Sequence, residues 1–205
     1  MVAMQAVLEV HMPDDGFALW PVAGAEPYAF LPLGGGLTSA EVGTAVMSVA
    51  HCNAGAGEGP EPAEPLGVFL HGLLTAEVPV ALGGLRVTDT VTGVTFRPGC
   101  CEGLEEWRTW FDVVDGGGTA GFGHDPWPLA ERLGDIVRLT VDCEQDGSPL
   151  IELPVAELRR LLADVERELG DVLRLMRTWA GRYAPGQAAG LGAALAQALE
   201  MPEQR

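Results

Sequence analysis

Two adjacent cysteines, Cys100 and Cys101, and a later pair, His124 and Asp125, are the residues of this sequence best suited to chemistry. A thiolate is both a nucleophile and a metal ligand, and an imidazole can act as its base. An aspartate beside a histidine can orient the ring. One hypothesis is therefore a small enzyme, or a thiol- or metal-dependent protein, that uses Cys100, Cys101 and His124. Asp125 is a further catalytic candidate.

The setting predicted for the two thiols acts on their pKa in opposite directions. A helix predicted to begin near Glu102 places them at its N-terminus, where the helix dipole lowers a thiol pKa. Glu102, Glu105 and Glu106 raise it, because nearby negative charge disfavours a thiolate.

Zinc binding is a second chemistry open to the cysteines and histidines. His51, Cys52 and Cys143 are the other candidate ligands. The sequence has no Cys-x-x-Cys or His-x-x-x-His spacing, the patterns typical of zinc sites. It also has no phosphate-binding loop, dinucleotide fingerprint or nucleophile elbow. We therefore predict neither a metal nor a cofactor, and we favour a binding protein over an enzyme.

Hairpins are predicted on both sides of the candidate residues. β-branched residues flank a turn within 86–97, and a second hairpin joins 136–142 to 150–153. Between them, apolar residues at helical spacing predict a helix over 102–114. The glycine- and proline-rich segment 121–128 is predicted to be a structured loop that carries the histidine.

The N-terminal part is predicted with less regular elements. Thr38 and Glu41 have the spacing of a capping box, which predicts a helix start. Valines and a glycine follow, which disfavour a helix, so the sequence does not decide whether 39–52 is a helix or a strand. Residues 53–65 lack hydrophobic periodicity and are predicted to be a mobile loop or linker. The apolar run 66–74 is predicted to be a buried strand.

The C-terminal part carries a strict heptad seam followed by a second, shorter helix over 187–199. The seam residues are Leu158, Leu162, Val165, Leu169, Val172, Met176, Trp179 and Tyr183. We expect either packing on the chain's own sheet and sister helix, or a homodimer through Leu158–Tyr183. The fold class predicted is α+β. It comprises an antiparallel sheet with hairpins packed by a helix, plus an antiparallel pair of one long and one short helix.

We expect a single domain over 1–205, with 1–153 and 154–205 as its possible subdivision. The charge follows that division. The chain has 29 acidic residues, 12 arginines and a net charge of −17. Residues 1–85 contain nine acids and no basic residue, whereas 154–205 contain seven of each. An acidic surface lacks the cations that nucleic acids and anionic membranes require.

No apolar stretch is long enough to span a bilayer, and the N-terminus lacks the basic region of a secretory signal. We therefore expect a cytoplasmic protein with reduced thiols.

Three segments resemble small acidic actinomycete proteins of unknown function. They are PGCCEGLEEWRTW (98–110), GHDPWP (123–128) and the run from Ile136 through IELPVAELRRLL. The layout of a hairpin followed by a helical C-terminus is similar to that of toxin-immunity proteins. The resemblance covers the second half of the chain. It implies an acidic protein that masks a basic toxin, and it carries over no catalytic residue.

The function we expect is that of an acidic, cytoplasmic binding protein, an immunity-type inhibitor of a basic partner. Acidic residues beside tryptophans combine attraction for a cation with the aromatic anchors that interfaces favour. The predicted contact residues are Glu102, Glu105, Glu106, Trp107, Trp110 and Trp127. The alternatives are the thiol- or metal-dependent protein described above and a dimeric scaffold built on the heptad seam.

Overall fold

The computed structural model describes residues 1–13, 16–57, 59–60, 62–116 and 118–202. Within these ranges the chain forms two four-stranded antiparallel sheets and five α-helices, which confirms the α+β class. None of the described helices has both the length and the apolar composition needed to cross a membrane.

The first sheet is built around a long antiparallel pair. Its strands are β1 (Val2–Glu9), β2 (Phe30–Pro32), β3 (Gly83–Asp89) and β4 (Thr95–Phe96). They lie in the order β2-β1-β3-β4. The partners in β1 and β3 run from Val2 opposite Asp89 to Leu8 opposite Gly83. The predicted hairpin over 86–97 is confirmed as β3 and β4.

The second sheet follows the order of the chain. Its strands are β5 (Thr119–Gly121), β6 (Leu129–Leu133), β7 (Ile136–Thr140) and β8 (Leu150–Pro154). The predicted hairpin between 136–142 and 150–153 is confirmed as β7 and β8. Val137, Leu139, Ile151 and Leu153 point inward, and the residues between them face outward.

The helices cover the inner faces of both sheets. They are α1 (Ser39–Cys52), α2 (Pro65–Thr75), α3 (Trp110–Asp115), α4 (Val155–Tyr183) and α5 (Ala188–Ala198). Thr38 and Glu41 form the expected capping box, and residues 39–52, which the sequence left undecided between helix and strand, form a helix. The predicted long and short C-terminal helices are present and pack on each other.

The heptad seam of α4 packs within the chain's own core. Seven of its eight side chains are buried, and Tyr183 is half-buried. The helix packs against α1, α3, α5, β1 and β8, so its apolar stripe lies in a core that includes both sheets. This burial corrects the expectation of a homodimer through Leu158–Tyr183, because little of the seam is left to contact a second copy.

Three other expectations about elements are wrong. Residues 66–74 belong to α2, whose buried residues recur at the spacing of one helix face; an apolar run of this length fits either structure. The single helix expected over 102–114 is a 3-10 helix, Leu104–Thr109, followed by the short α3. The segment 53–65 contains a 3-10 helix, Ala54–Ala56, and the first residue of α2.

The start of that segment is fixed by a buried asparagine. The Asn53 side-chain amide donates to the carbonyls of Val49 and Val80, at 2.7 Å each. Its oxygen accepts the backbone N–H of Val80 at 2.9 Å. Positions 58 and 61, which also belonged to the predicted mobile loop, lie outside the described residues.

Candidate functional site

The two cysteines meet His124 because two loop segments pair as a short antiparallel bridge. The backbone N–H of Cys100 donates to the His124 carbonyl at 2.5 Å, and the return bond is 3.2 Å long. One residue earlier, Gly99 N–H donates to the Phe122 carbonyl at 2.8 Å. Phe122 is buried, so this ladder fixes the loop 121–128 to the core.

Glycine is required on both sides of this bridge. A Cβ atom at Gly99 would lie 2.4 Å from the Pro126 carbonyl oxygen and 2.6 Å from the His124 nitrogen. Gly123 has a φ of +91°, and a Cβ there would lie 2.7 Å from the Cys100 oxygen. The backbones therefore approach more closely than any residue with a side chain allows.

We predict that Gly99→Ala lowers the free energy of unfolding by about 2 kcal/mol, because the added methyl group meets backbone that has no room to move. Gly36→Ala is the matched control, since no atom lies within 4 Å of the added Cβ. Urea unfolding of the two variants measures the difference. Equal midpoints for both variants would show that the close approach at Gly99 does not exist.

The bridge places two thiols and an imidazole side by side. The Sγ atoms of Cys100 and Cys101 are 3.4 Å apart. The ligand atoms of Cys100, Cys101 and His124 all lie within 4.8 Å of one another, and all three side chains are exposed. Nδ1 of His124 lies 3.2 Å from Oδ2 of Asp125. The structure therefore brings together the four residues that the sequence offered as catalytic candidates.

The Cys100 thiol is not set up as an activated nucleophile. Its hydrogen bond with Cys101 raises the pKa of the Cys100 thiol above its ordinary value. The helix N-terminus that was expected to lower it is not formed, because the chain continues from Glu102 into a 3-10 helix that begins at Leu104. The protonated thiol dominates near neutral pH, and a thiol reacts poorly as a nucleophile.

These residues form one end of a larger recess, which we call the acidic cleft. Its lining residues are Cys100, Cys101, Glu102, Gly123, His124, Asp125, Trp127 and Glu144. The Trp127 side chain is 45% exposed. The Asp142 carboxylate holds the backbone at Trp127 and Glu144 in place, because its Oδ1 accepts their N–H groups at 3.3 and 3.1 Å.

Glu102 is the buried acid of the cleft, with only 9% of its surface exposed. Burial raises the pKa of the Glu102 carboxyl to about 7, and the negative charges of Glu106 and Glu105 add to the effect. The Glu105 side chain is held in place because its Oε2 accepts the Ala81 N–H at 3.0 Å. Glu106 is exposed.

The remaining metal candidates do not join the cluster. Cys52 is half-buried at the end of α1, and burial raises the pKa of its thiol to about 11. His51 lines a different cavity, beside His11 and Tyr28. Cys143 is exposed in the turn after β7 and donates its backbone N–H to the Trp127 carbonyl. Among the described residues, the three-residue cluster therefore excludes all of these side chains.

Two of the three tryptophans predicted as contact residues belong to the core. Trp107 and Trp110 are each 1% exposed. Trp107 donates its indole N–H to the Leu199 carbonyl at 3.1 Å, which ties the 3-10 helix to the end of α5. Burial corrects the expectation that these two side chains anchor a partner. Trp127 is the one of the three that reaches the surface.

Glu144, Gly99 and Gly123 were not identified from the sequence. The hairpin prediction placed Glu144 near a turn, but no local pattern connects that turn with the loop that carries Trp127. Close backbone approach at a glycine likewise depends on segments far apart in the chain. The proline and glycine spacing within 98–103 and 121–128 was the only signal that these loops are rigid.

Comparisons with protein families, with curated proteins and with solved structures find no match to this chain. The acidic cleft is therefore the feature of the molecule that bears most directly on its function. Its chemistry offers two thiols, an imidazole, a partly exposed indole and several carboxyl groups, which suits a cation better than an anion.

Proposed function

We propose that the protein binds a basic partner by taking one of the partner's arginine or lysine side chains into the acidic cleft. The observation that carries this proposal is Glu102. Nine-tenths of the residue's surface is buried, it lines the cleft, and its carboxyl makes no hydrogen bond or ion pair with any described residue. Burial raises the pKa of this carboxyl because its negative charge is costly there, and a cation that enters the cleft reduces that cost.

The rim of the cleft supplies further negative charge. The Asp125 side chain is 88% exposed, and Glu144 is exposed as well. No arginine is found among the described residues that line this cleft. Arg97 lines the adjoining recess, together with Glu9, Tyr28 and Asp125. Asp125 contacts His124, and no acid that lines the cleft forms an ion pair with an arginine among the described residues, so these acids can attract a cation from another molecule.

Trp127 gives the cleft a flat aromatic wall. A guanidinium or ammonium group over an indole face gains about 0.5–2 kcal/mol, depending on how far it is desolvated. Asp125 and Glu144 line the same recess, so a basic segment of a partner meets both acids and the indole there. Tryptophan is one of the residues most enriched among the side chains that carry the binding energy of an interface.

The charge of the whole chain supports the same class of partner. The acids of residues 1–85 have no arginine or lysine in their own part of the chain, so the surface field attracts basic proteins over a distance. An inhibitor that masks a basic toxin fits this charge, and the four free cysteines fit a reducing, cytoplasmic setting. The cleft is the place where we expect contact to be tightest.

A fluorescently labelled hexa-arginine peptide tests the proposal against the full chain. We expect Trp127→Ala, Asp125→Asn and Glu144→Gln each to weaken binding by about 3- to 10-fold, since each removes one cation contact. Fluorescence anisotropy measures the dissociation constants at several salt concentrations. Binding should weaken as salt rises, because screening reduces the attraction of exposed charges.

Glu77→Gln is the matched control, because Glu77 is exposed, carries the same charge and lies outside the cleft. If this substitution weakens binding as much as Glu144→Gln does, the peptide responds only to the total charge and the cleft is not the site. Binding that is unaffected by salt also contradicts the proposal.

A further inference from the structure

We infer that Cys100, Cys101 and His124 form a binding site for a zinc-type divalent ion, with one coordination position left open toward the acidic cleft. This site is separate in its chemistry from the binding of a basic partner. It rests on the donor atoms themselves, and it can exist whether or not a partner side chain enters the cleft.

The distances fit tetrahedral coordination after small side-chain rotations. Zinc–sulfur bonds of about 2.3 Å and zinc–nitrogen bonds of about 2.0 Å place neighbouring ligand atoms roughly 3.5–3.8 Å apart. The two Sγ atoms are already 3.4 Å apart, and all three ligand atoms lie within 4.8 Å of one another. The side chains are exposed, so no packed core resists their closing on an ion.

The backbone holds the three residues in place before any ion binds. Reciprocal hydrogen bonds join Cys100 and His124, and glycines at 99 and 123 permit the close approach. Cys101 has a φ of +65°, and Asp125 has a φ of +52°. Non-glycine residues rarely adopt this conformation, and such residues concentrate at sites where geometry serves a function.

Asp125 supplies the outer contact that metal-bound histidines use. Its carboxylate lies 3.2 Å from Nδ1 of His124, and a carboxylate that accepts the N–H of one ring nitrogen leaves the other nitrogen to bind the ion. This contact also fixes the direction of the ring. Asp125 therefore acts as a positioning residue in the metal site.

The charges and protons balance without any change in oxidation state. A divalent ion displaces one proton from each of the two thiols, both protons pass to the buffer, and the two thiolates neutralise the ion. The imidazole binds as a neutral ligand. Two sulfurs and one nitrogen favour zinc over magnesium or calcium, which prefer oxygen ligands.

Three protein ligands leave a fourth position for water or for a group from another molecule. Glu102 lines the same cleft, and Glu144 stands on its rim. Because the ion displaces two thiol protons, the net charge of the cleft is the same before and after it binds. Charge therefore does not set metal binding against the entry of an arginine or lysine side chain, and the two kinds of binding are tested separately.

Titration of the reduced full-length chain with Co2+ tests the site, because cobalt replaces zinc and absorbs light. We expect a thiolate-to-cobalt charge-transfer band and the visible bands of tetrahedral cobalt, both lost when Zn2+ is added. Cys100→Ser and Cys101→Ser should each weaken cobalt binding by about 100-fold or more. His124→Ala should weaken it in the same direction.

Cys143→Ser is the matched control, since Cys143 is equally exposed and lies beside Trp127 but outside the cluster. It should bind cobalt as the unmodified chain does. The inference is overturned if no charge-transfer band develops, if Cys143→Ser abolishes it, or if the serine variants at 100 and 101 bind normally.

Alkylation provides a second measurement that needs no substitution. With Zn2+ present, iodoacetamide should modify Cys100 and Cys101 at least about tenfold more slowly, because a metal-bound thiolate is a weaker nucleophile. The rate at Cys143 should not change, and peptide mass spectrometry resolves the three sites. Equal protection of Cys143 overturns the inference. If the unmodified chain binds cobalt but not the peptide, the proposed function alone is refuted. If it binds the peptide but not cobalt, the metal site alone is refuted.

Discussion

Replacing Trp110 with alanine is expected to lower the free energy of unfolding by about 4 kcal/mol. The indole is 1% exposed, stacks on Phe122 with ring centres 4.3 Å apart, and meets the edge of Phe96 at 5.6 Å. The substitution leaves a cavity where α3 joins the loop that carries His124. Because the Phe122 carbonyl accepts the Gly99 N–H, the loss extends to the bridge beneath the candidate site.

Trp127→Ala is the control for this prediction, since it makes the same substitution at a side chain that is 45% exposed. It should cost less than about 1 kcal/mol of stability. Urea unfolding followed by far-ultraviolet circular dichroism measures both variants. Similar losses at the two positions would mean that Trp110 is not the buried packing residue that the structure shows. The pair also distinguishes a core residue from a surface residue, where the sequence analysis predicted both tryptophans to contact a partner.

The elements that follow from local chemistry were predicted well. The capping box of Thr38 and Glu41 begins a helix, and both hairpins pair where β-branched residues flank a turn. The heptad seam identified α4 almost to the residue. In each case the signal lies within a few residues of the structure it produces, so no distant contact is needed to read it.

The elements that failed depend on distant contacts. The run 66–74 is apolar enough for a strand or a helix, and only its packing on α1 and α5 selects α2. The periodic residues Leu104 and Trp107 do reach the core, but their turn is a 3-10 helix. An i, i+3 spacing suits both α- and 3-10 helices. The periodicity therefore predicted the buried face correctly but the type of helix wrongly.

The sequence identified the residues of the candidate site but did not predict that they lie together. Cys100, Cys101 and His124 were selected for their chemistry, but their meeting depends on a bridge between loops that lie far apart in the sequence. The absence of Cys-x-x-Cys spacing argued against a metal site. Such spacing describes ligands that share one turn or helix, whereas here two adjacent cysteines face a histidine from another loop.

Glu102→Gln is expected to stabilise the protein by up to about 3 kcal/mol at pH 8, and to change its stability little at pH 4. Burial raises the pKa of the Glu102 carboxyl in the folded chain to about 7, from an ordinary value of 4.5. Below pH 4.5 the carboxyl is neutral in both the folded and the unfolded state, so it imposes no penalty. Between pH 4.5 and 7 the unfolded chain ionises first, so stability falls as the pH rises.

Above pH 7 the folded chain carries the buried charge at its full cost, and a glutamine of the same shape avoids it. Glu106→Gln is the control, because Glu106 is exposed and contributes to Glu102 only through its nearby charge. It should stabilise the protein only slightly at pH 8. Between pH 4 and pH 9, the difference in unfolding free energy from the unmodified chain must grow for Glu102→Gln alone. An equal gain for both variants, or a gain already present at pH 4, would place the Glu102 carboxyl in water rather than in the buried wall of the cleft.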